Sequence, residues 1–285
     1  NLYSTVGRFF VNDTCKTSLQ SFEFEPAEST RVFYFRADAA RQIELRATPA
    51  SGTLLSASSS ANVSPGAPKA IVMNAPASSK VGECVPVPFS VVDASRNKIN
   101  YAKRLTISVT GQTKMYTDHL CKSLFPSATQ KTLAAGMNSI LYVRNERAEN
   151  IQLKADDGTN GLPLVSYNLD FKALQPSRLR LTSSLPKTVS ATACHHVLVS
   201  TVDNFGNSAL MAAPKEVSID AGAIAKTYSN ATCTRAAAKL TIAAKSSGAE
   251  FWIKRVSGNK AAITLTASDG VRGQEDAVIK FPAIP

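Results

Sequence analysis

The residues of this chain best suited to chemistry are five cysteines and three histidines. Thiolates and imidazoles can hold zinc or act as nucleophile and base, and cysteines can also close disulfides. Zinc sites draw on closely spaced ligand pairs, and the chain has no Cys-x-x-Cys. The histidines, His119, His195 and His196, have no counterparts at equivalent points of the sequence. His195 and His196 are neighbours in a strand-like stretch, so they point to opposite faces and cannot converge on one substrate. Zinc, catalytic residues and cofactors are therefore all set aside. Disulfides remain. Cys84 and Cys121 stand in one stretch as Cys194 and Cys233 stand in another, which predicts Cys84–Cys121 and Cys194–Cys233 with Cys15 unpaired. Two such bridges place the protein in an oxidising compartment, secreted or on a cell surface.

The elements that carry these cysteines repeat. An aromatic-polar lead into a cysteine occurs at Phe10 to Cys15, Tyr116 to Cys121 and Tyr228 to Cys233. An apolar strand ending in a cation follows each time, at Phe33 to Arg36, Leu141 to Arg144 and Phe251 to Lys254. An alternating strand comes next, at Ile43 to Ala47, Ile151 to Ala155 and Ile263 to Ala267. The period is about 110 residues, the size of a whole domain and not of a solenoid repeat. Two copies also share a front half, Cys84 to Asp93 and Cys194 to Asp203, each closing in an Asp-x-x-x-Asn turn. The expected division is a partial repeat at 1–67 and full repeats at 68–174 and 175–285. The joints are expected at Ser56 to Pro68 and Ala173 to Pro176.

Apolar and polar residues alternate with period two, which predicts strands with one buried face. Val85, Val87, Phe89 and Val91 should form one such row, and Ile151, Leu153 and Ala155 another. Cys84 would then face outward, making each bridge a clip from a strand start to a pole loop. Lys131 to Met137 is the one stretch that could turn briefly helical, although Gly136 and Gly248 suit turns better. The fold class is all-β: tandem immunoglobulin-like sandwiches, the first incomplete at its N-terminus.

A strand ending Val-x-Asp-x-x-x-Asn, a cysteine-bearing loop and an aromatic strand of the Phe33 to Arg36 type resemble bacterial immunoglobulin-like (Big) repeats of the invasin and intimin kind. The resemblance implies extracellular stalks and adhesins, and it carries over no binding residue.

Other sites have plainer readings. The Asp-x-x-x-Asn turns and Asp156-Asp157-Gly158 lack the ligand rhythm of calcium loops, and Asx turns that satisfy their own backbone explain them. Sequons at Asn12, Asn62 and Asn230 are incidental in a bacterial protein. Tyr34, Tyr142 and Trp252 should share an outward face with Arg36, Arg144 and Lys254. An aromatic beside a cation suits sugar rings, acidic glycans or a protein partner. The simpler account is a cross-strand packing pair.

Lys and Arg number 32 against 21 Asp and Glu, a net charge of +11. The cations are dispersed and no nucleic-acid motif accompanies them, so nucleic acid is not an expected partner. No apolar run reaches the roughly 18 residues of a membrane span. The expected function is a non-catalytic structural or adhesive segment of an exported bacterial surface protein or fibre, a rigid spacer that meets neighbouring repeats or subunits and a surface glycan or protein receptor. The alternative is a carbohydrate-binding accessory module of a larger secreted protein. The short first copy is expected to belong to a longer polypeptide, or else to be completed by a donated strand.

Overall fold

An apolar residue at every second position fits a pleated surface with one dry face, and the core strands use this device. In a computed structural model the described residues are all except 128–129, 136–138, 159–160, 184–187, 271–275 and 285, with only the backbone described at 133–135. Among them the regular structure is antiparallel β-sheet, apart from one parallel pairing and the 3-10 turn Gly222–Ile224.

In the middle unit, the strand Val85–Val92 pairs with Ser139–Arg144, which pairs with Lys114–Tyr116. On its other side Ala70–Met73 pairs with its final residues, and Lys98–Ile99 pairs with Val91 and Val92 on the edge that Ser139–Arg144 occupies further back along the strand. The opposing sheet runs Gln130–Ala135, Tyr101–Val109, Asn150–Asp156, Val165–Lys172 and Ser78–Lys80, the last pair parallel. Val85, Val87, Phe89, Val91, Leu141 and Val143 from the first sheet pack with Leu105, Ile107, Ile151, Leu153, Leu169 and Phe171 from the second. Each buried aliphatic side chain contributes about 1.5–3 kcal/mol of transfer free energy. Pro86 and Pro88 interrupt the Val85–Val92 strand without disrupting its sheet. Pro86 falls where the strand has a single neighbour, and Pro88, just before pairing with Ala70–Met73 begins at Phe89, only accepts on that edge, its carbonyl bonded by Asn74 N.

The last unit repeats this plan. Arg178–Ser183, His195–Val202, Gly248–Arg255 and Ala225–Tyr228 form one sheet, and Lys239–Ile242, Lys215–Asp220, Ile263–Ser268 and Ala277–Phe281 the other. Val197, Val199, Phe251, Ile253, Ile263 and Leu265 close its core.

The first unit has two three-stranded sheets. One is Ser18–Leu19, Arg8–Phe10 and Tyr34–Arg36; the other is Leu2–Ser4, Gln42–Ala47 and Ala57–Asn62. Tyr34–Arg36 is an edge strand here, whereas its counterparts are covered by Val85–Val92 and His195–Val202. Phe35 is accordingly half-buried, while Val143 and Ile253 in the equivalent positions are 0% exposed. All six side chains of Ala57–Asn62 face solvent.

Three local expectations change. The stretch from Ser56, expected as a joint, forms the strand Ala57–Asn62: backbone pairing to Gln42–Ala47 needs no apolar side chain. Gly248 starts a strand and is not a turn residue. A Cβ there would lie 2.7 Å from the Val199 carbonyl oxygen, so the close pairing with His195–Val202 requires glycine. Residues 131–135 are strand and not helix, held by Tyr101–Val109, and Gly136 and Met137 lie outside the described residues.

Candidate functional site

Where one sandwich meets the next, the turn after each front-half strand becomes a polar node. Val85–Val92 runs into Asp93 and His195–Val202 into Asp203, and both aspartates are buried. Asp93 Oδ1 accepts hydrogen bonds from the amides of Ser95 (2.9 Å) and Asn97 (2.8 Å). Its Oδ2 accepts from Gly66 N (2.8 Å), in the incoming linker, and from Asn97 Nδ2 (2.9 Å). Asp203 repeats the set: Oδ1 accepts from Phe205 N and Asn207 N (2.9 Å each), and Oδ2 from Leu174 N (3.0 Å) and Asn207 Nδ2 (3.1 Å).

The asparagine side chains then reach into the preceding unit. Asn97 Oδ1 accepts from Ala40 N (2.8 Å) while its Nδ2 donates to the Asp38 carbonyl (2.7 Å). Asn207 Oδ1 accepts from Ala148 N (2.8 Å) while its Nδ2 donates to the Glu146 carbonyl (2.9 Å). A primary amide offers one acceptor and two donors, so one side chain pairs with a backbone segment much as a peptide group does. In the second joint Phe205 also packs against the middle core, over Gly82. Gly82 has φ +80°, and a Cβ on it would meet the Phe205 ring at 2.6 Å, so glycine is required on both counts.

Hydrogen bonds from the Asn97 side chain and then Gly66 N hold the Asp93 carboxyl below its ordinary pKa. Burial pulls the Asp203 pKa up, but donation from Asn207, Leu174 and Phe205 outweighs it and leaves a net depression. N–H groups surround both carboxylates, an arrangement that stabilises the anion and repels a cation. The turns do satisfy their own backbone, and they also fasten neighbouring units, a role that their local pattern gives no sign of.

At the opposite end of the same strands, Cys84 is bridged to Cys121 and Cys194 to Cys233, with Cα separations of 5.7 and 5.8 Å. Cys121 and Cys233 both adopt φ 51° in a tight turn, their amides bonded to the Asp118 and Asn230 carbonyls. Cys15 has the same φ and the same bond, to Asn12, yet carries a free, half-buried thiol. Iodoacetamide under native, non-reducing conditions should therefore add one label per chain, at Cys15. Labelling at a second cysteine would show an open bridge.

Tyr34, Tyr142 and Trp252 each share a sheet face with Arg36, Arg144 and Lys254, respectively, two residues on. They lie on three separate units and do not converge on one pocket. Arg36 pairs with Asp38 (3.5 Å) and Arg144 with Glu146 (3.3 Å). Trp252 stands beside His196, ring centroids 5.6 Å apart, and His196 lies 3.6 Å from Glu250. His195 faces the other way. It is buried, its Nε2 accepts from Ser190 N (2.7 Å), and desolvation lowers its pKa. His119 is exposed on a loop of the middle unit. Among the described residues no group of three His, Cys, Asp or Glu could hold a metal ion, and no helix is long and apolar enough to cross a membrane.

No family model matches the chain, and neither does any curated protein sequence. Solved structures give similarities of architecture. A glycoside hydrolase family 2 β-glucuronidase matches at 14% identity over 76% of this chain and 20% of its own, with a TM-score of 0.34. FdeC, an Escherichia coli adhesin, matches at 13% identity over 84% of this chain and 73% of its own, TM-score 0.36. Domains 5–6 of the S-layer protein SbsC match at 12% identity over 77% of this chain and 99% of theirs, TM-score 0.27. The chain thus spans only a fifth of the β-glucuronidase.

Proposed function

We propose that this chain is a non-catalytic structural and adhesive segment of an exported bacterial surface protein or fibre, and that it works as a rigid spacer. Its parts are a C-terminal half-repeat at 1–67 and full repeats at 68–174 and 175–285. The duplicated asparagine clamp carries this reading. Each joint ties three things together: the incoming linker (Gly66 or Leu174), the aspartate turn, and a loop of the preceding unit. A joint fixed at three points resists bending, whereas a bare linker leaves domains free to reorient. The two disulfides suit an oxidising exterior, and neighbouring repeats or subunits of one assembly are the partners that such an array would meet.

Asn97→Ala combined with Asn207→Ala tests the spacer. Small-angle scattering of the double variant should give a broader distance distribution with a less defined maximum. Unfolding of the last unit, followed by Trp252 fluorescence, should lose no more than about 1–2 kcal/mol. A scattering curve that superposes on that of the parent would refute the rigid-joint reading.

A further inference from the structure

Each cation of the outward row faces a second cation across the sheet. The register sets Arg8 opposite Arg36, Lys114 opposite Arg144 and Lys226 opposite Lys254. Two positions along on the same face, Phe10 meets Tyr34, Tyr116 meets Tyr142 and Tyr228 meets Trp252. Like charges directly opposite in an antiparallel pair sit about 4.5–5.5 Å apart at Cα and destabilise the sheet. A spacer has no use for that repulsion, yet all three units carry it beside an aromatic pair.

The units differ in how the charge is answered. Asp38 neutralises Arg36 and Glu146 neutralises Arg144. Counting two residues on from Lys254 in the last unit gives Val256, and among the described residues neither Lys226 nor Lys254 forms an ion pair. The aromatic row is also widest here: the register places His196, Trp252 and Tyr228 side by side on three adjacent strands. The acid on this face, Glu250, is engaged with His196.

We propose that this face of the last unit binds an acidic polysaccharide, with Lys226 and Lys254 taking a carboxylate or sulfate and Trp252 stacking on the sugar ring that bears it. Two uncompensated ammonium groups supply the charge, and an aromatic face beside them selects a ring over a bare anion. The inference is independent of the joints and stands whether or not the array is rigid.

Trp252 is the chain's single tryptophan, so its emission reports on the proposed site directly. Heparin and polygalacturonate, titrated into the full chain at low salt, should each change that emission, and uncharged dextran should not. Lys226→Gln with Lys254→Gln should weaken binding about tenfold or more, as expected for the loss of charge-assisted hydrogen bonds. Lys69→Gln with Lys103→Gln, the same charge change on exposed positions of the middle unit, should stay within about twofold of the parent. Melting of the Lys69/Lys103 variant should match the parent, and that of the Lys226/Lys254 variant should match or exceed it, since neutralising the pair removes the cross-strand repulsion. Three results would overturn the assignment. These are unchanged Trp252 emission with both acidic polymers, an equal loss in the two double variants, and oligothymidylate binding as tightly as the glycans with the same dependence on Lys226 and Lys254.

Discussion

Asp203→Ala should destabilise the last unit by about 3 kcal/mol, the upper end of the range for losing hydrogen bonds to a buried charged group. Asp203 is 0% exposed and accepts from three backbone amides and one side-chain amide. A hydrogen bond to a charged group contributes about 1.5–3 kcal/mol, and bonds that share one acceptor do not add. Deleting the carboxylate leaves all four donors without their acceptor and unfastens the linker at Leu174. Because the units need not unfold together, the measurement is urea unfolding followed by Trp252 emission, which reports on the last unit alone. The pH dependence has a definite sign. The folded-state pKa is depressed, so the stabilisation is complete above the unfolded value of about 3.9 and is lost as pH falls through the folded value. The gap between parent and variant should therefore be widest near neutrality and narrow below about pH 4. A difference under about 1 kcal/mol at pH 7, or one that is independent of pH, would remove Asp203 from the centre of the joint.

The node at Asp203 marks the boundary of what could be read from the chain. Val85, Val87, Phe89 and Val91 announce their strand because burial on one face imposes period two on the residue types, and all four are buried. The Asp-x-x-x-Asn turns are visible for the same local reason, since a short carboxylate satisfies amides two and four residues ahead. What Asn207 does with the rest of its amide is set by Glu146 and Ala148, some sixty residues away. Nothing in a turn's own composition encodes a partner at that distance. Ala57–Asn62 escaped for the opposite reason: its side chains are all solvated, so it leaves no hydrophobic trace and is defined by backbone pairing alone. The opposed cations needed register. Arg36, Arg144 and Lys254 stand out at the ends of apolar strands, but Arg8, Lys114 and Lys226 become their neighbours only when the strands are aligned.

The bridge at the far end of His195–Val202 acts on the unfolded chain and not on the joint, which makes its removal a separable experiment. Cys194→Ser with Cys233→Ser should lower the stability of the last unit by about 4 kcal/mol, the loop-closure value for the 39-residue separation. The folded contacts need change little. The Cys233 turn is already fixed by its amide bond to the Asn230 carbonyl, and the Asn230 side chain accepts from Thr234 N and Arg235 N. Cys15 supplies the internal comparison, because its turn has the same backbone geometry with no bridge to lose. Cys15→Ser should leave the stability of the first unit, followed by circular dichroism because Trp252 does not sense it, unchanged to within about 0.5 kcal/mol. The double serine variant should also keep the parent's scattering profile, since Asp203 and Asn207 hold the joint at the other pole of the sandwich. If it loses less than about 1 kcal/mol, the bridge would be a passive feature of an already rigid loop. If it loses both stability and the scattering profile, the two ends of the strand would be mechanically coupled, and the joints could not be the independent fasteners that their geometry describes.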